Sequence, residues 1–465
     1  MIRTHHQQPT LWTGFLKEEV NDLWEPWMRA ADQILDDEQL IEQVFEAQGR
    51  RWKKSRTRGR WQTPSEVVLR LLILKHVRNW SYQTLEREVR ANLVYRAFAR
   101  IGGEKVPDAK TMGRLGQVIG PDVVAGLQQR IVKLAVEKKV VRGRKMRLDT
   151  TVVETNIHYP TDSSLLGDGT RVLTRLMKKV VSTIGGLQER VRDRMRSVRK
   201  KVVGVAIAAR RQGEAGEQQR RGLYKGLLSL SRKIVNQAGR VAQEVATLPR
   251  KMQAKVGGLV ERMAVMRERT RQVMRQTQAR IFGGDTKHPE KVTSVFEPHT
   301  EIIRKGKASK PTEFGKMVKV QEAENQIVTH VEIYEERPSD SDLLLEAVAQ
   351  HEEVCGRTPE LLAADAGFYS LANEKALAEQ GVKRVSIPNR NTKSGARKKH
   401  QKQRWFKNGQ RWRTGCEGRI SVLKRRHGLD RCLYPGQQGM KRWVGMGVIA
   451  DNLINIGLHL AVKQA

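Results

Sequence analysis

One segment of this 465-residue chain constrains its fold more than any other. Between residues 171 and 281, apolar side chains recur at every third or fourth position, a spacing that predicts amphipathic helix. The clearest run comprises Leu173, Leu176, Val180, Ile184, Leu187, Val191, Met195 and Val198. A polar stretch at 210–222 predicts a break, so we expect an antiparallel pair of helices. The fold must accommodate this long helical arm.

The arm is also strongly basic. It contains 28 Lys and Arg against 7 Asp and Glu, and the whole chain has 87 against 50, a formal net charge of +37. Such an excess repels itself unless a polyanion approaches, which favours nucleic acid as the partner. A solvated coiled-coil arm, a ribosome-associated protein and a membrane-surface protein remain as alternatives on charge alone.

Strand patterns lie on both sides of the arm. The β-branched or apolar segments are 145–155, 315–323, 326–336, 359–365 and 382–389. With a helix predicted at 340–354, this order indicates an α/β core that the arm interrupts after the first strand. We therefore predict an N-terminal helical domain (1–140), an α/β domain (141–170 and 285–465) and a basic helical insertion (171–284).

Residues 63–120 predict a series of short helices. A helix-start signature at Thr63–Glu66, with Pro64 in the first turn, precedes a buried apolar run. Ser81 and Asp108 can cap two further helices. Short helices joined by tight turns suit a helix-turn-helix-like DNA-binding module, and a plain helical bundle fits the pattern equally well.

Three absences narrow the class of protein. The cysteines Cys355, Cys416 and Cys432 are too few and scattered for a disulfide framework or zinc cluster, so we expect buried, reduced thiols in a cytoplasmic protein. No signal-peptide core is present, and no stretch approaches the roughly 20 apolar residues that a membrane span needs, so no membrane is expected. The sequence contains no GxxxxGK[ST] loop, which argues against an ATP motor.

Two aspartates occupy strand positions where a carboxylate is unusual. Asp149 lies within the apolar segment 145–155, where burial is costly unless the carboxylate meets a cation or metal. Asp365 ends its strand and is followed directly by Ala366 and Gly367, and open α/β sheets place their sites at such ends. Taken alone, an aspartate at a strand end is more often part of a turn or a helix cap.

The segment 411–427 contains six Arg or Lys and a single acid, Glu417. On a helix, Arg413, Glu417 and Lys424 lie along one stripe. A second, apolar stripe, predicted to pack on the sheet, comprises Cys416, Ile420 and Leu423. A salt bridge to Arg413 would explain where Glu417 lies, but not why this face has only one acid. Three carboxylates on two strands and a helix suit two Mg²⁺ ions that act on a phosphodiester.

These residues resemble the bacterial insertion-sequence transposases, which carry an Asp-Asp-Glu triad on a ribonuclease-H-like fold. The subgroup signature Tyr-x2-Arg-x3-Glu-x6-Lys is matched by Arg413, Glu417 and Lys424, with Gln410 at the tyrosine position. Residues 148–166 are similar to the family's first-aspartate segment, 363–370 to its second and 314–323 to the strand between them. Residues 64–115 are similar to its N-terminal domain and 447–460 to its final helix. The long arm here precedes the second aspartate, whereas the family's insertion often follows the last strand.

The resemblance implies a DNA transposase with a ribonuclease-H-like mixed sheet. Asp149, Asp365 and Glu417 would hold two Mg²⁺ ions, for which Mn²⁺ could substitute. The cations expected to contact DNA are Arg413, Lys424, Arg419, Arg425 and Arg426. A homodimer, cytoplasmic and associated with the nucleoid, would bind the element's terminal inverted repeats, cleave the DNA ends and transfer the 3′ ends to target DNA. An inactive or domesticated DNA-binding protein and a metal-dependent, structure-specific DNA nuclease are the alternatives.

Overall fold

A mixed β-sheet contains the strand segments predicted on either side of the arm. The computed structural model describes residues 1–6, 18–20, 22–52, 54–286, 288–289, 291–304 and 311–464. The strands in these ranges are β1 (Lys145–Thr155), β2 (Glu301–Arg304), β3 (Thr312–Glu322), β4 (Val328–Ile333), β5 (Leu361–Ala363), β6 (Arg384–Ser386) and β7 (Arg431–Cys432). Their order is β2-β3-β1-β5-β6, and in addition β4 pairs with β3 and β7 with β1.

Five strands lie within or across the predicted segments, and β1 has the predicted bounds. Strand β1 pairs antiparallel with β3 and parallel with β5, which in turn pairs parallel with β6. The sequence did not predict β2 and β7. Strand β7 has two residues, too few for any periodicity, and is defined only by its pairing with Glu154 and Thr155 of β1.

Helices form most of the remaining described chain. Before β1 they are α1 (Pro26–Ile34), α2 (Glu38–Arg50), α3 (Ser65–Val77), α4 (Tyr82–Ala91), α5 (Leu93–Phe98), α6 (Ala109–Val118) and α7 (Pro121–Glu137). Between β1 and β2 they are α8 (Asp162–Ile184), α9 (Met195–Ala208), α10 (Glu214–Ala246) and α11 (Arg250–Phe282). After β4 they are α12 (Leu344–Cys355), α13 (Leu371–Glu379), α14 (Gly395–Lys402), α15 (Arg404–Arg426) and α16 (Gly436–Gln464).

The N-terminal helices show which capping predictions hold. The side chains of Ser81 and Asp108 accept hydrogen bonds from the backbone of Thr84 and Thr111, so both predicted caps are confirmed. The start of α3 was misplaced: the helix begins at Ser65, with no capping side chain. Backbone carbonyls of the N-terminal segment accept the N–H groups of Ser65 and Glu66 instead, which removes the need for a cap.

By its internal contacts the described chain divides into two compact units. Unit 1 comprises residues 1–156 and 315–465, and unit 2 comprises residues 157–314. The N-terminal helices fall in unit 1 because α3 and α7 share a hydrophobic core with α16. The division into three domains, with an insertion at 171–284, stays a prediction.

The described residues of unit 2 form four helices where the sequence predicted a helical pair. Helix α8 ends before Gly185 and Gly186, which both have positive φ angles, and residues 185–194 are not helical. Leu187 and Val191 were therefore wrongly assigned to a continuous helix. The predicted break at 210–222 is confirmed between α9 and α10, and a further break before Pro249 separates α10 from α11.

The C-terminal helix corrects one statement made from the sequence. Residues Gly436–Val462 are long and apolar enough to span a membrane by length and composition, and 67% of the most apolar window is buried inside the protein. Trp443 and Val448 of this helix pack in one core cluster of unit 1, and Leu453 packs in another. Burial in these cores accounts for the apolar composition of the helix.

Candidate active site

The three predicted carboxylates lie on neighbouring elements of unit 1. Asp149 is in the middle of β1, opposite Val320 of β3. Asp365 follows β5 by two residues, and its Oδ1 accepts a hydrogen bond from the N–H of Gly367 at 2.8 Å. Glu417 is an exposed residue of α15, a helix that packs against β1, β5 and β6. The predicted cap at Asp365 and the predicted helix are both present.

Two glycines let α15 approach the sheet closely. A Cβ atom on Gly409 would lie 2.7 Å from the Cβ of Ser386 in β6. A Cβ atom on Gly415 would collide with the guanidinium of Arg147 in β1. Any larger residue at either position would push the helix outward. The predicted apolar stripe also packs inward, with Cys416 and Leu423 buried.

Arg147 of β1 holds α15 in place on the sheet. It pairs with Glu322, its register partner on β3, through a 3.0 Å contact between Nε and Oε2. The same guanidinium donates to the main-chain carbonyl of Trp412 and lies 4.8 Å from the centroid of that indole ring. Because the pair is buried, this contact orients the helix turn that precedes Glu417.

Gln410 occupies the tyrosine position of the signature and provides a second anchor. Its Nε2 donates to the carbonyl of Ala364 at 3.2 Å and to Oγ of Ser386 at 3.2 Å, and also to the carbonyl of Ser386. Ala364 lies between the end of β5 and Asp365, and Ser386 is the last residue of β6. Nothing in the sequence indicated this role of Gln410.

The electrostatics of the site converge on Asp149. Burial raises the pKa of the Asp149 carboxyl to about 6, and the negative charges of Asp365 and Glu417 add to the rise. The N–H of Thr150 and the charge of Arg413 oppose it. Asp365 and Glu417 are thus close enough for their charges to act on Asp149.

Arg413 lies between two of the carboxylates. Its guanidinium is 2.7 Å from Oε1 of Glu417 and 3.7 Å from Oδ2 of Asp149, and its Nε is buried without a hydrogen-bond partner. The salt bridge considered from the sequence is therefore present. Glu417 also acts electrostatically on Asp149. It can therefore be both a salt-bridge partner of Arg413 and a member of the carboxylate site.

The three carboxylates are the type of ligand that divalent cations prefer, but their side chains are not close enough together to hold one in this structure. Carboxylate oxygens are the ligands that Mg²⁺ prefers, and mutual repulsion at Asp149 is the kind that a cation relieves. Yet nowhere in the described ranges do three His, Cys, Asp or Glu side chains come close enough to hold a metal ion. The ion pair with Arg413 accounts for the present position of Glu417.

A fourth carboxylate, missed in the sequence, borders the site. Oδ1 of Asp340 accepts a hydrogen bond from Oγ1 of Thr150 at 3.3 Å. Oδ2 of Asp340 and Oδ1 of Asp365 each lie 3.1 Å from the position that a Cβ on Gly367 would occupy. Asp340 is the first residue of the helix predicted at 340–354, and the α-helix begins only at Leu344, so the sequence did not single out Asp340 as a residue of the site.

The basic residues of α15 do not share one surface. Arg425 and Arg426 are exposed, and Lys424 is partly exposed, about two helical turns beyond Glu417. Arg419 was wrongly placed with them: its side chain is 7% exposed and pairs with Asp451 of α16 at 2.7 Å. Because it is directed into the protein, Arg419 cannot contact DNA in this structure.

Two segments of the chain match models of known families. Residues 22–117 match the Transposase domain (DUF772), and residues 375–456 match the Transposase DDE domain. The matches support a DDE-type transposase. Glu417 lies inside the second matched segment, whereas Asp149 and Asp365 precede it. Neither the curated proteins nor the solved structures gave a match.

Proposed function

We propose that this chain is a transposase that binds the terminal inverted repeats of its mobile element, cleaves the DNA ends and transfers the 3′ ends to target DNA. The proposal rests on the arrangement of Asp149, Asp365 and Glu417 on neighbouring elements of unit 1, with Arg413 beside both Asp149 and Glu417. The transposase matches near both ends of the chain support the same conclusion. We further propose that the mixed sheet is the ribonuclease-H-like core that the resemblance implies.

The three carboxylates would provide the ligands of the catalytic metals. Asp149, Asp365 and Glu417 would hold two Mg²⁺ ions, or Mn²⁺ in their place. When bound, such ions supply an activated hydroxyl nucleophile and stabilise the leaving oxygen of a phosphodiester. The carboxylates that would position these ions lie on a strand (Asp149), after the end of a strand (Asp365) and on a helix (Glu417).

Arg413 would exchange partners when DNA arrives. A phosphate competes with Glu417 for the guanidinium, since arginine binds both anions through paired N–H groups. The exchange would free Glu417 for metal ligation and place a positive charge beside the scissile phosphate. Lys424, Arg425 and Arg426 would extend this contact along the DNA backbone.

Other parts of the chain would bind DNA beyond the cleavage site. The helices of residues 22–117 would read the inverted repeat, and the cations of unit 2 would hold the phosphate backbone. Because two element ends must be joined in one reaction, we propose a homodimer on DNA. In the cell the protein would act in the cytoplasm, associated with the nucleoid.

The test is cleavage of a labelled element end, taken from the DNA that flanks the gene, by the purified protein with Mg²⁺. Asp149→Ala, Asp365→Ala and Glu417→Ala should each abolish nicking and joining while binding of the end persists. Glu379→Ala, which changes an exposed acid at the end of α13, is the control.

Each alternative predicts a different outcome of the same assay. Cleavage that persists in Glu417→Ala would return Glu417 to a salt-bridge role. End binding without cleavage by the unaltered protein would indicate an inactive or domesticated relative. Cleavage of branched DNA without cleavage of element ends would indicate a structure-specific nuclease.

A further inference from the structure

A second cleft of unit 1 lies at the amino ends of three parallel strands. It measures about 580 Å³, and Lys145, Leu361 and Arg384, the first residues of β1, β5 and β6, line it. Asp149 lies four residues further along β1, roughly 13 Å away, and Asp365 lies beyond the opposite end of β5. The cleft is therefore separate from the candidate active site.

Two tryptophans of α15 form one wall of the cleft. Trp405 and Trp412 are seven residues apart, so they lie on one face of the helix, roughly 10 Å from each other along its axis. Gly409, which also lines the cleft, lies between them and packs tightly against Ser386, and the exposed Asn408 lies beside it. Both indoles are partly exposed, so a flat ligand can reach them.

The other walls are basic. Arg144, Lys145, Lys383 and Arg384 line the cleft and are exposed. Glu360, an acid of the lining, is already paired with Arg357 at 2.7 Å. The cleft therefore presents a net positive charge to a ligand.

Two of these cations lie near the tryptophan rings. Nζ of Lys145 is 6.0 Å from the centroid of Trp412, and the guanidinium carbon of Arg384 is 5.9 Å from that of Trp405. Both distances are at the outer limit of a cation–π contact, so a ligand ring could displace these two cations at little cost. The buried guanidinium of Arg147, 4.8 Å from the centroid of Trp412, would stay in place. The displaced cations would remain within reach of a charge attached to that ring.

We propose that this cleft binds unpaired nucleotides of single-stranded DNA. Bases would stack on Trp405 and Trp412, and the four cations would hold the flanking phosphates. Aromatic platforms beside a basic groove are the combination by which proteins bind single strands without sequence preference. A duplex would use only the cations of the cleft. Its bases are already stacked on each other, so only its phosphates could make contacts and the tryptophan rings would have no partner.

The test measures binding of fluorescein-labelled pentathymidylate and of an abasic analogue of the same length to the full-length protein, in EDTA at about 0.2 M salt to limit non-specific contacts. The unaltered protein should prefer pentathymidylate by about tenfold or more, the effect of stacking at least one base. EDTA prevents any cleavage, so this result is independent of the proposed transposase activity.

Variants separate stacking from charge. Trp405→Ala should lose the preference for bases while keeping its affinity for the abasic strand, and Trp405→Phe, which keeps a ring, should retain most of the preference. The double variant Lys145→Gln/Arg384→Gln should lower the affinity for pentathymidylate and for the abasic strand by a similar factor. Leu458→Ala removes an exposed apolar side chain outside the cleft, and should change neither affinity.

Three results would overturn the proposal. Equal affinity of the unaltered protein for the two strands would exclude base stacking. A full base preference in a folded Trp405→Ala variant would place the stacking elsewhere. Displacement of pentathymidylate by polyglutamate as readily as by unlabelled pentathymidylate would mark the cleft as a site for acidic peptides.

Discussion

The side-chain amide of Gln410 donates a hydrogen bond of 3.2 Å to the main-chain carbonyl of Ala364, the residue directly before Asp365. Gln410 is also on the helix that carries Glu417, seven residues further along. The same amide bonds Ser386 at the end of β6. The relative position of Asp365 and Glu417 therefore depends on Gln410.

Gln410→Ala should reduce cleavage more than it reduces DNA binding. The change leaves carbonyls of β5 and β6 without this donor, which costs about 1 to 2 kcal/mol of stability, and it loosens the helix above Asp365. Cleavage rates at saturating DNA and urea unfolding would measure the two effects. The control Gln129→Ala, which removes a single exposed hydrogen bond to Glu353, should change neither the cleavage rate nor the stability. Normal cleavage by Gln410→Ala would show that other contacts are sufficient to position Asp365 and Glu417.

Asp149→Asn should stabilise the metal-free protein at neutral pH. Because the pKa of Asp149 is about 6 in the fold, above its ordinary 3.8, the folded state holds an extra proton between these values. The contribution of Asp149 to stability therefore falls as pH rises from about 4 to 6 and stays low above that. The shift corresponds to about 3 kcal/mol, which the asparagine variant would recover above pH 6.

Thermal unfolding in EDTA at pH 4.5 and 7 would measure this difference between variant and unaltered protein. The difference should be small at the lower pH and large at the higher one. Asp22→Asn, at an exposed position, controls for the loss of one charge. Added Mg²⁺ should then stabilise the unaltered protein more than Asp149→Asn. A difference that does not vary with pH would contradict the electrostatic account of the site.

The sequence predicted the fold wherever the signal is local. Strand β1 has the predicted bounds because it is buried along most of its length, which leaves a run of apolar and β-branched residues in the sequence. The break after α8 was also local, since the pair Gly185–Gly186 is a breaker signal that the periodicity argument passed over. Strand β7 could not be predicted, because its two residues are a strand only through pairing with β1.

The candidate site divides in the same way. Asp149 and Glu417 were identifiable because each is an exception in its own segment, an acid in an apolar strand and an acid in a basic helix. Gln410 and Asp340 were not, because Ala364 and Thr150, the partners that reveal them, are 46 and 190 residues away. The assignment of Arg419 was an avoidable error.

Spacing alone places Arg419 on the buried side of its helix. It follows Cys416 by three residues and precedes Leu423 by four, and both of these residues are buried. A basic residue at such a position requires an internal partner, which Asp451 provides.

Arg419→Met should therefore act on stability. The change leaves the buried carboxylate of Asp451 without its main partner, and such losses cost about 3 to 5 kcal/mol. Urea unfolding would measure the loss. The double variant Arg419→Met/Asp451→Leu should recover most of it, because no buried charge is stranded. Arg425→Gln/Arg426→Gln should instead lower DNA affinity with stability unchanged, and a stable Arg419→Met variant with weakened DNA binding would contradict this assignment.

The basic surface of unit 2 should act as a sequence-independent phosphate clamp. Four exposed cations suited to a test are Arg192, Arg196, Arg199 and Lys200. Each neutralised phosphate steepens the dependence of log K on log salt by roughly 0.9, so replacing all four with Gln should reduce the slope by as much as about 3 to 4. Affinity should fall similarly for element ends and random DNA, while replacing the three arginines with Lys keeps the charge and the slope. An unchanged slope with normal strand transfer would instead indicate that this surface contacts another protomer, as a dimerisation element.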